Sequence, residues 1–334
     1  MYMSELYYII YFLVLLFFYI HVVDQYKTSE DLEIYEMDYS SNQELQTVCD
    51  VKQPITFEFE SVAPEFFSEF DTISLDPFDL HVKDVADYWV TTDGVESNRL
   101  GYTSALALLN TDSRSQYICE DNEDVIASSG LSSVYSTVDE FLKPSFVAIT
   151  KYDLMMGSKK AATPMRYHTD FRRFLCVVSG RIRVKMTPFK SSRYLYPIKD
   201  YYQYEFWSPV NLWNPQQQYL HETDKIKSLE FDVVAGHVLY IPPYWWYSIQ
   251  YSGEATKVGS VTYCSVMNCI ANLPDYTFYF IQQQNTRTRV AKVLEIQEKV
   301  EDEGVGEEGI KEEEGKEPVV DPLEKSIKML TSKA

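Results

Sequence analysis

Several features are scarce in this chain. Its five cysteines, Cys49, Cys119, Cys176, Cys264 and Cys269, form no CxxC pair, which excludes a zinc ribbon or a thioredoxin-type redox centre. No Asn-x-Ser/Thr acceptor occurs anywhere. Together these two absences point to a body that faces the cytosol, where thiols stay reduced and N-glycosylation does not occur. Lysine and arginine are also short, 30 against 50 aspartate and glutamate, for a net charge of −20. A nucleic-acid backbone is thereby excluded as a partner, since counterion release needs clustered cations. GxSxG, Walker-type and HExxH runs are missing, and no internal repeat is evident.

What is abundant is aromatic and apolar. The chain is 45% hydrophobic, and its 27 tyrosines and 18 phenylalanines against 12 glycines favour strands, because aromatic rings suit a pleated, half-buried surface. Residues 6–23, LYYIIYFLVLLFFYIHVV, carry no formal charge at neutral pH and are apolar on every face. We read 1–27 as a single-pass membrane anchor; a cleaved signal peptide is the alternative, but no Lys or Arg precedes the run and no small-x-small site follows it. Residues 28–144 mix short strands such as PITFEF with helices expected at 63–70 and 138–142, and 121–137 reads as a polar loop. From 145 to 272 short alternating runs are separated by turn residues, the pattern of an all-β sandwich or barrel. A C-terminal helix is expected over 273–300, and 301–334 reads as an acidic, solvated tail.

Within the β region, His168 and Asp170 stand two apart in HTD, so on a strand both would project to one side and form two corners of a facial metal triad. By itself HxD is a weak motif. More than HxD matches, however. The succession HTD, FLCVVSG (174–180), Pro188, LYP (195–197) and AGHVLYIPPYWW (235–246) resembles the cupin-like JmjC family. The resemblance is strongest over 145–272, and the chain is also similar to cupin-like proteins of large DNA viruses. It implies a mainly β protein with flanking helices, built on a double-stranded β-helix (cupin, jelly-roll) barrel. Enzymes of the family are Fe(II)- and 2-oxoglutarate-dependent oxygenases.

Carried across residue by residue, the family pattern fits at His168 and Asp170 and departs elsewhere. The third metal position falls on Tyr247, a phenol with an ordinary pKa of about 10 that must lose a proton before it binds a metal well. The lysine often found two residues beyond the strand-ending glycine is replaced by Ile182. Strand alternation sends Arg183 to the opposite face unless a bulge turns it inward. Trp245 and Trp246 are expected in the pocket wall. His21, His81, His221 and His237 offer no persuasive third ligand.

Two functions are therefore carried forward. The first is a membrane-anchored binding or structural module with a degenerate metal site, without cofactor, whose partners are the membrane and a protein; the viral likeness would place it on a virion or host membrane. The second is an oxygenase with a variant His-Asp-Tyr site that uses Fe(II) and 2-oxoglutarate to hydroxylate a protein. The insertion 201–223, with Trp207 and Trp213, is expected to pack over the barrel.

Overall fold

The computed structural model describes residues 2–72, 75–90, 94–253 and 256–284. Eight strands form its centre: β1 (Val147–Gly157), β2 (Arg166–Tyr167), β3 (Arg172–Ser179), β4 (Arg181–Thr187), β5 (Leu229–Val234), β6 (His237–Ile241), β7 (Trp246–Tyr251) and β8 (Lys257–Ser265). One sheet carries them in the order β6-β3-β8-β1 and the other in the order β2-β7-β4-β5, so nearly every connection crosses between the two sheets. The barrel expected from the sequence is not closed: the strands remain in two separate sheets. Glycine is required where β3 turns into β4 and β5 into β6, since Gly180 and Gly236 adopt φ of +78° and +83°.

The first sheet is covered on both faces. Leu175 and Val177 of β3 join Ile182, Val184 and Met186 of β4 and Ile249 of β7 in the core between the sheets. Phe174 and Cys176, of opposite parity, belong to a second core beneath helices. A strand buried on both sides reads as an unbroken apolar run, which is why FLCVV shows no alternation.

Five helices matter below: α1 (Tyr2–Gln25), α2 (Pro64–Thr72), α3 (Leu131–Leu142), α4 (Val266–Ala271) and α5 (Leu273–Gln283). Phe66 and Phe70 of α2 and Leu131, Val134, Tyr135 and Val138 of α3 cover the outer face of the first sheet. The expected polar loop at 121–137 is instead the helix Glu123–Ser129 followed by most of α3. Serines on its exposed face masked the stripe Leu131, Val134, Tyr135, Val138, Leu142, which has helical spacing and is fully inward. The strand Ile55–Glu58 pairs with β6, so PITFEF extends the first sheet as expected. Strands Asp79–Asp84, Asn98–Gly101 and Tyr117–Cys119 extend its other edge beyond β1.

At the N-terminus, α1 contains 21 residues, Glu5–Gln25, long and apolar enough to cross a membrane or to serve as a signal sequence, and none of its best window is buried in the protein. At the other end, helix is described only to Gln283; the remainder of the expected 273–300 helix and the 301–334 tail lie outside the described residues. All five cysteines are free thiols, four of them buried.

The candidate functional site

The three positions singled out for metal converge on one cavity of about 200 Å³ between the sheets, lined by His168, Asp170 and Tyr247. They do not arrive as alternation predicts. Strand β2 ends at Tyr167, and 168–170 is a connector, with Thr169 lining the cavity as well. The connector is held by its backbone: Thr169 O accepts from Asn268 Nδ2 (2.8 Å) and Asn272 Nδ2 (3.0 Å), and His168 O accepts from Tyr244 N (2.8 Å). Tyr244 belongs to the PPYWW turn and has φ +64°, a left-handed conformation uncommon for a tyrosine. That turn therefore sets the placement of His168 and of Tyr247 at once.

The feature unforeseen in the sequence is Arg173. It stands on β3 with the same parity as Leu175 and Val177, and so faces the second sheet. Its Nη2 donates to Asp170 Oδ2 (2.9 Å) and its Nη1 to the Tyr247 hydroxyl (2.8 Å). His168 and Asp170 do not bond to each other, since His168 Nδ1 is 3.7 Å from Asp170 Oδ2. A guanidinium thus links two of the three expected ligand positions. Burial would push the Asp170 carboxyl up, but Arg173, aided by His168 and Lys151, holds it below the usual carboxylate range.

His168 is fixed differently. Its Nε2 lies 3.1 Å from the Ile241 carbonyl oxygen, and because a carbonyl only accepts, Nε2 carries the proton. That leaves Nδ1 as a buried lone pair with no partner. Burial first, and the charge of Arg173 second, push the imidazole down to about 3, so it is neutral at pH 7.

The cavity is also lined by a network of largely buried charge, in which Asp121 is the exposed member. Arg166, opposite Tyr247 in register, donates to Glu120 through Nη1 (2.9 Å) and Nη2 (2.7 Å), and to Glu205 through Nη1 (3.3 Å). Its guanidinium also lies over the Tyr247 ring, 5.6 Å from the centroid. Lys83 reaches Asp121 (2.6 Å), Glu120 (3.4 Å) and Glu205 (3.8 Å). The Tyr88 hydroxyl donates to Glu205, with its oxygen 3.0 Å from Oε2. Six carboxyl groups and three cationic side chains line the cavity, so its lining is net acidic. Each of those cations has a carboxylate partner, Lys151 only at 4.0 Å from Glu123.

One member of the lining is poised near neutrality. Burial, reinforced by Asp121, pushes the Asp153 carboxyl up to about 7, although it accepts from the backbone N–H groups of Asp121 (3.0 Å) and Asn122 (2.7 Å). A carboxyl raised in the folded state binds protons that the unfolded chain has released. Its contribution is thus fully present below about pH 4 and is lost as pH rises towards 7. Asp153→Asn removes that loss. Its stability relative to the parent chain should grow between pH 4 and 7, by no more than about 1.4 kcal/mol per unit of the raised pKa, as read by urea unfolding in detergent.

Ile182 is fully buried in the core between the sheets. Arg183 points away, paired with Glu230, and no bulge interrupts β4 against β5 or β7. Trp245 and Trp246 do not line the cavity, contrary to expectation. Trp245 sits in the core between the sheets, and Trp246 packs with Met165, Tyr167 and Phe206, its Nε1 donating to Ser192 (2.7 Å). Residues so large and apolar fill volume there instead of offering a wall. Of the five histidines, only His168 lines this cavity among the described residues. The insertion 201–223 packs as expected through Trp207, which is fully buried, and Trp213, which donates to Ser248 (2.7 Å). It also contributes Gln203, Tyr204 and Glu205 to the cavity. Among the described residues no group of three or more His, Cys, Asp or Glu side chains is arranged to hold a metal ion.

A two-sheet β body with helices on its outer face, and a cavity between the sheets at the HTD connector, define a cupin-type protein. The family model for the cupin-like domain matches residues 83–268, more than half of the chain, and the chain belongs to that family. It is also similar to the JmjC domain-containing protein D of Dictyostelium discoideum, 30% identical over 95 residues, which is 28% of this chain and 21% of that protein. The similarity thus spans about a fifth of that relative's length.

Proposed function

We propose that this chain is a membrane-anchored double-stranded β-helix protein of JmjC-like type that works as a binding or structural module, its metal position given over to Arg173. The observation that carries the reading is the guanidinium between Asp170 and Tyr247. Iron(II) coordinated there would have to share the Asp170 carboxylate with a fixed positive charge, while a second, Arg166, lies over the Tyr247 ring. Neutral imidazole is the usual third donor in such sites; a phenol hydrogen-bonded to arginine is a poor substitute. The cosubstrate fits no better. A dicarboxylate such as 2-oxoglutarate needs an available cation, and the cationic side chains of this lining already have carboxylate partners in a cavity with excess negative charge.

On this reading α1 spans the membrane, the body faces the cytosol, where thiols stay reduced, and the partner is a protein. The test is turnover: the full chain in detergent, supplied with iron(II), oxygen and 2-oxoglutarate, should consume the oxo acid no faster than protein-free buffer.

A second reading rests on His168. An imidazole whose Nε2 proton is tied to a backbone carbonyl, leaving Nδ1 as a buried lone pair without a hydrogen-bond partner, has the tautomer and support of a metal ligand. An oxygenase with a His-Asp-Tyr site would show iron-dependent consumption of 2-oxoglutarate that disappears in His168→Ala.

A further inference from the structure

The body of this protein has a second apolar surface, and it adjoins the exit of α1. Helix α5 is two-sided. Its inner face is held by the Tyr201 hydroxyl donating to Asp275 (2.8 Å), by Tyr204 and Tyr276 stacked with centroids 5.2 Å apart, and by Gln283 Nε2 donating to Tyr202 O (2.6 Å). The outer face presents Leu273, Phe280 and Ile281, exposed at 60%, 63% and 59%, and is flanked by Phe278, 56% exposed with its ring against Tyr201. No charged residue interrupts that face: the other exposed positions of 273–284 are Pro274, Thr277, Tyr279 and Gln284. Val266 and Ile270 of the neighbouring α4 add to it, both exposed. Soluble surfaces rarely gather large apolar side chains in this way without covering them.

What covers the face follows from where it sits. Just beyond α1, Tyr26 donates its hydroxyl to the carbonyl of Ala271, the last residue of α4, two residues before α5 begins. Tyr26 also lies against Tyr244, their rings 6.2 Å apart. On the other side of the exit, Lys52 Nζ donates to the Asp24 carbonyl and stands 3.9 Å from its carboxylate. The end of α1 is therefore joined to the base of α5 by specific bonds. If α1 enters a bilayer, the surface at its exit meets the headgroup region, and that surface is apolar and aromatic. Interfacial helices have this pattern, with Phe and Leu inserted at the acyl boundary. With a net charge of −20, the chain has no excess of cations for an attraction to anionic lipid, so the contact is hydrophobic.

We infer that α5, with the exposed edge of α4, lies in the membrane interface as a second contact beside α1, so that the body is seated on the bilayer and not tethered away from it. This rests on the reading of α1 as a membrane span. The seat has a consequence for the cavity: the inner face of α5 holds the 201–204 segment, which supplies Gln203 and Tyr204 to the lining. The cavity side of that segment is one helix away from lipid.

The test uses the full chain reconstituted in phosphatidylcholine vesicles that carry nitroxide quenchers both at headgroup depth and along the acyl chains, because position 13 lies near the middle of the span Glu5–Gln25. A fluorophore is attached in turn to Leu13→Cys in α1, to Phe280→Cys in α5, and to Val234→Cys in β5 at the far edge of the second sheet, with the parent chain as labelling background. The inference expects loss of fluorescence at positions 13 and 280 and none at 234. Quenching at 13 but not at 280 leaves the anchor reading standing and overturns the seat. Absence of quenching at both removes the anchor reading and the inference with it. Self-quenching at 280 that scales with protein density, without lipid quenching, would place a second copy on this face and also overturns it.

Discussion

Arg166→Met should destabilise the folded chain by about 3–5 kcal/mol, the usual cost of removing one partner from a buried ion pair. The arginine holds Glu120 by two hydrogen bonds and Glu205 by a third, and Glu120 is only 2% exposed. Without the guanidinium, Lys83 alone faces Glu120, Asp121 and Glu205. Burial would then push the two glutamates towards protonation, so the variant should recover part of its deficit at acid pH. Pairing the change with Glu120→Leu should recover part of it at neutral pH, because removing both charges avoids the unpaired one. Urea unfolding of the parent, single and double variants measures this; a single-variant loss below about 1 kcal/mol would mean that the network is solvated and contributes little.

Arg173→Ala is the second large effect. It strips Asp170 of its strongest partner and the Tyr247 hydroxyl of its donor. Because the arginine side chain is about a quarter exposed, the expected loss is smaller than for a fully buried pair, about 1–3 kcal/mol. Its pH dependence has a definite sign. In the parent chain the depressed Asp170 carboxyl contributes stability that is present above the ordinary aspartate range and is lost as pH falls through the lower folded value. In the variant that contribution is gone, so the gap between the two proteins should be widest at neutral pH and close on acidification. Asp170→Asn should cost less than Arg173→Ala, since it leaves an exposed-side cation in place of a buried anion without its partner.

Much of the architecture was legible because its signals are local. Turn glycines at 180 and 236, the apolar runs between them and the PPYWW turn mark the strands of the β body, and the apolar run in α1 marks itself by length alone. Arg173 was not legible for a physical reason. A strand covered on both faces has no visible parity, so nothing in RRFLCVV says which of two adjacent arginines turns inward towards the cavity. Glu120, Glu205 and Lys83 were hidden for another reason: they come from separate segments far apart in the chain, and only the sheet brings them to Arg166. The Ser-rich stretch before Val138 misled because helix-disfavouring residues on the solvent side outweighed an apolar stripe that tertiary packing rewards. Trp246 is one residue of strand from Tyr247, which turns its ring to the opposite face, whereas Trp245 precedes β7 and fills the same core between the sheets that holds Tyr247.

The central claim is that a guanidinium and a phenol have taken the place of the metal. It is tested most directly by anaerobic titration of iron(II) into the full chain, alongside Tyr247→His and the double variant Arg173→Ala with Tyr247→His. The account predicts no stoichiometric binding by the parent, little by Tyr247→His while Arg173 still holds Asp170, and one iron per chain in the double variant, abolished when His168→Ala is added. Tight binding of one iron by the parent chain itself, lost in His168→Ala, would contradict it and make Tyr247 a working ligand.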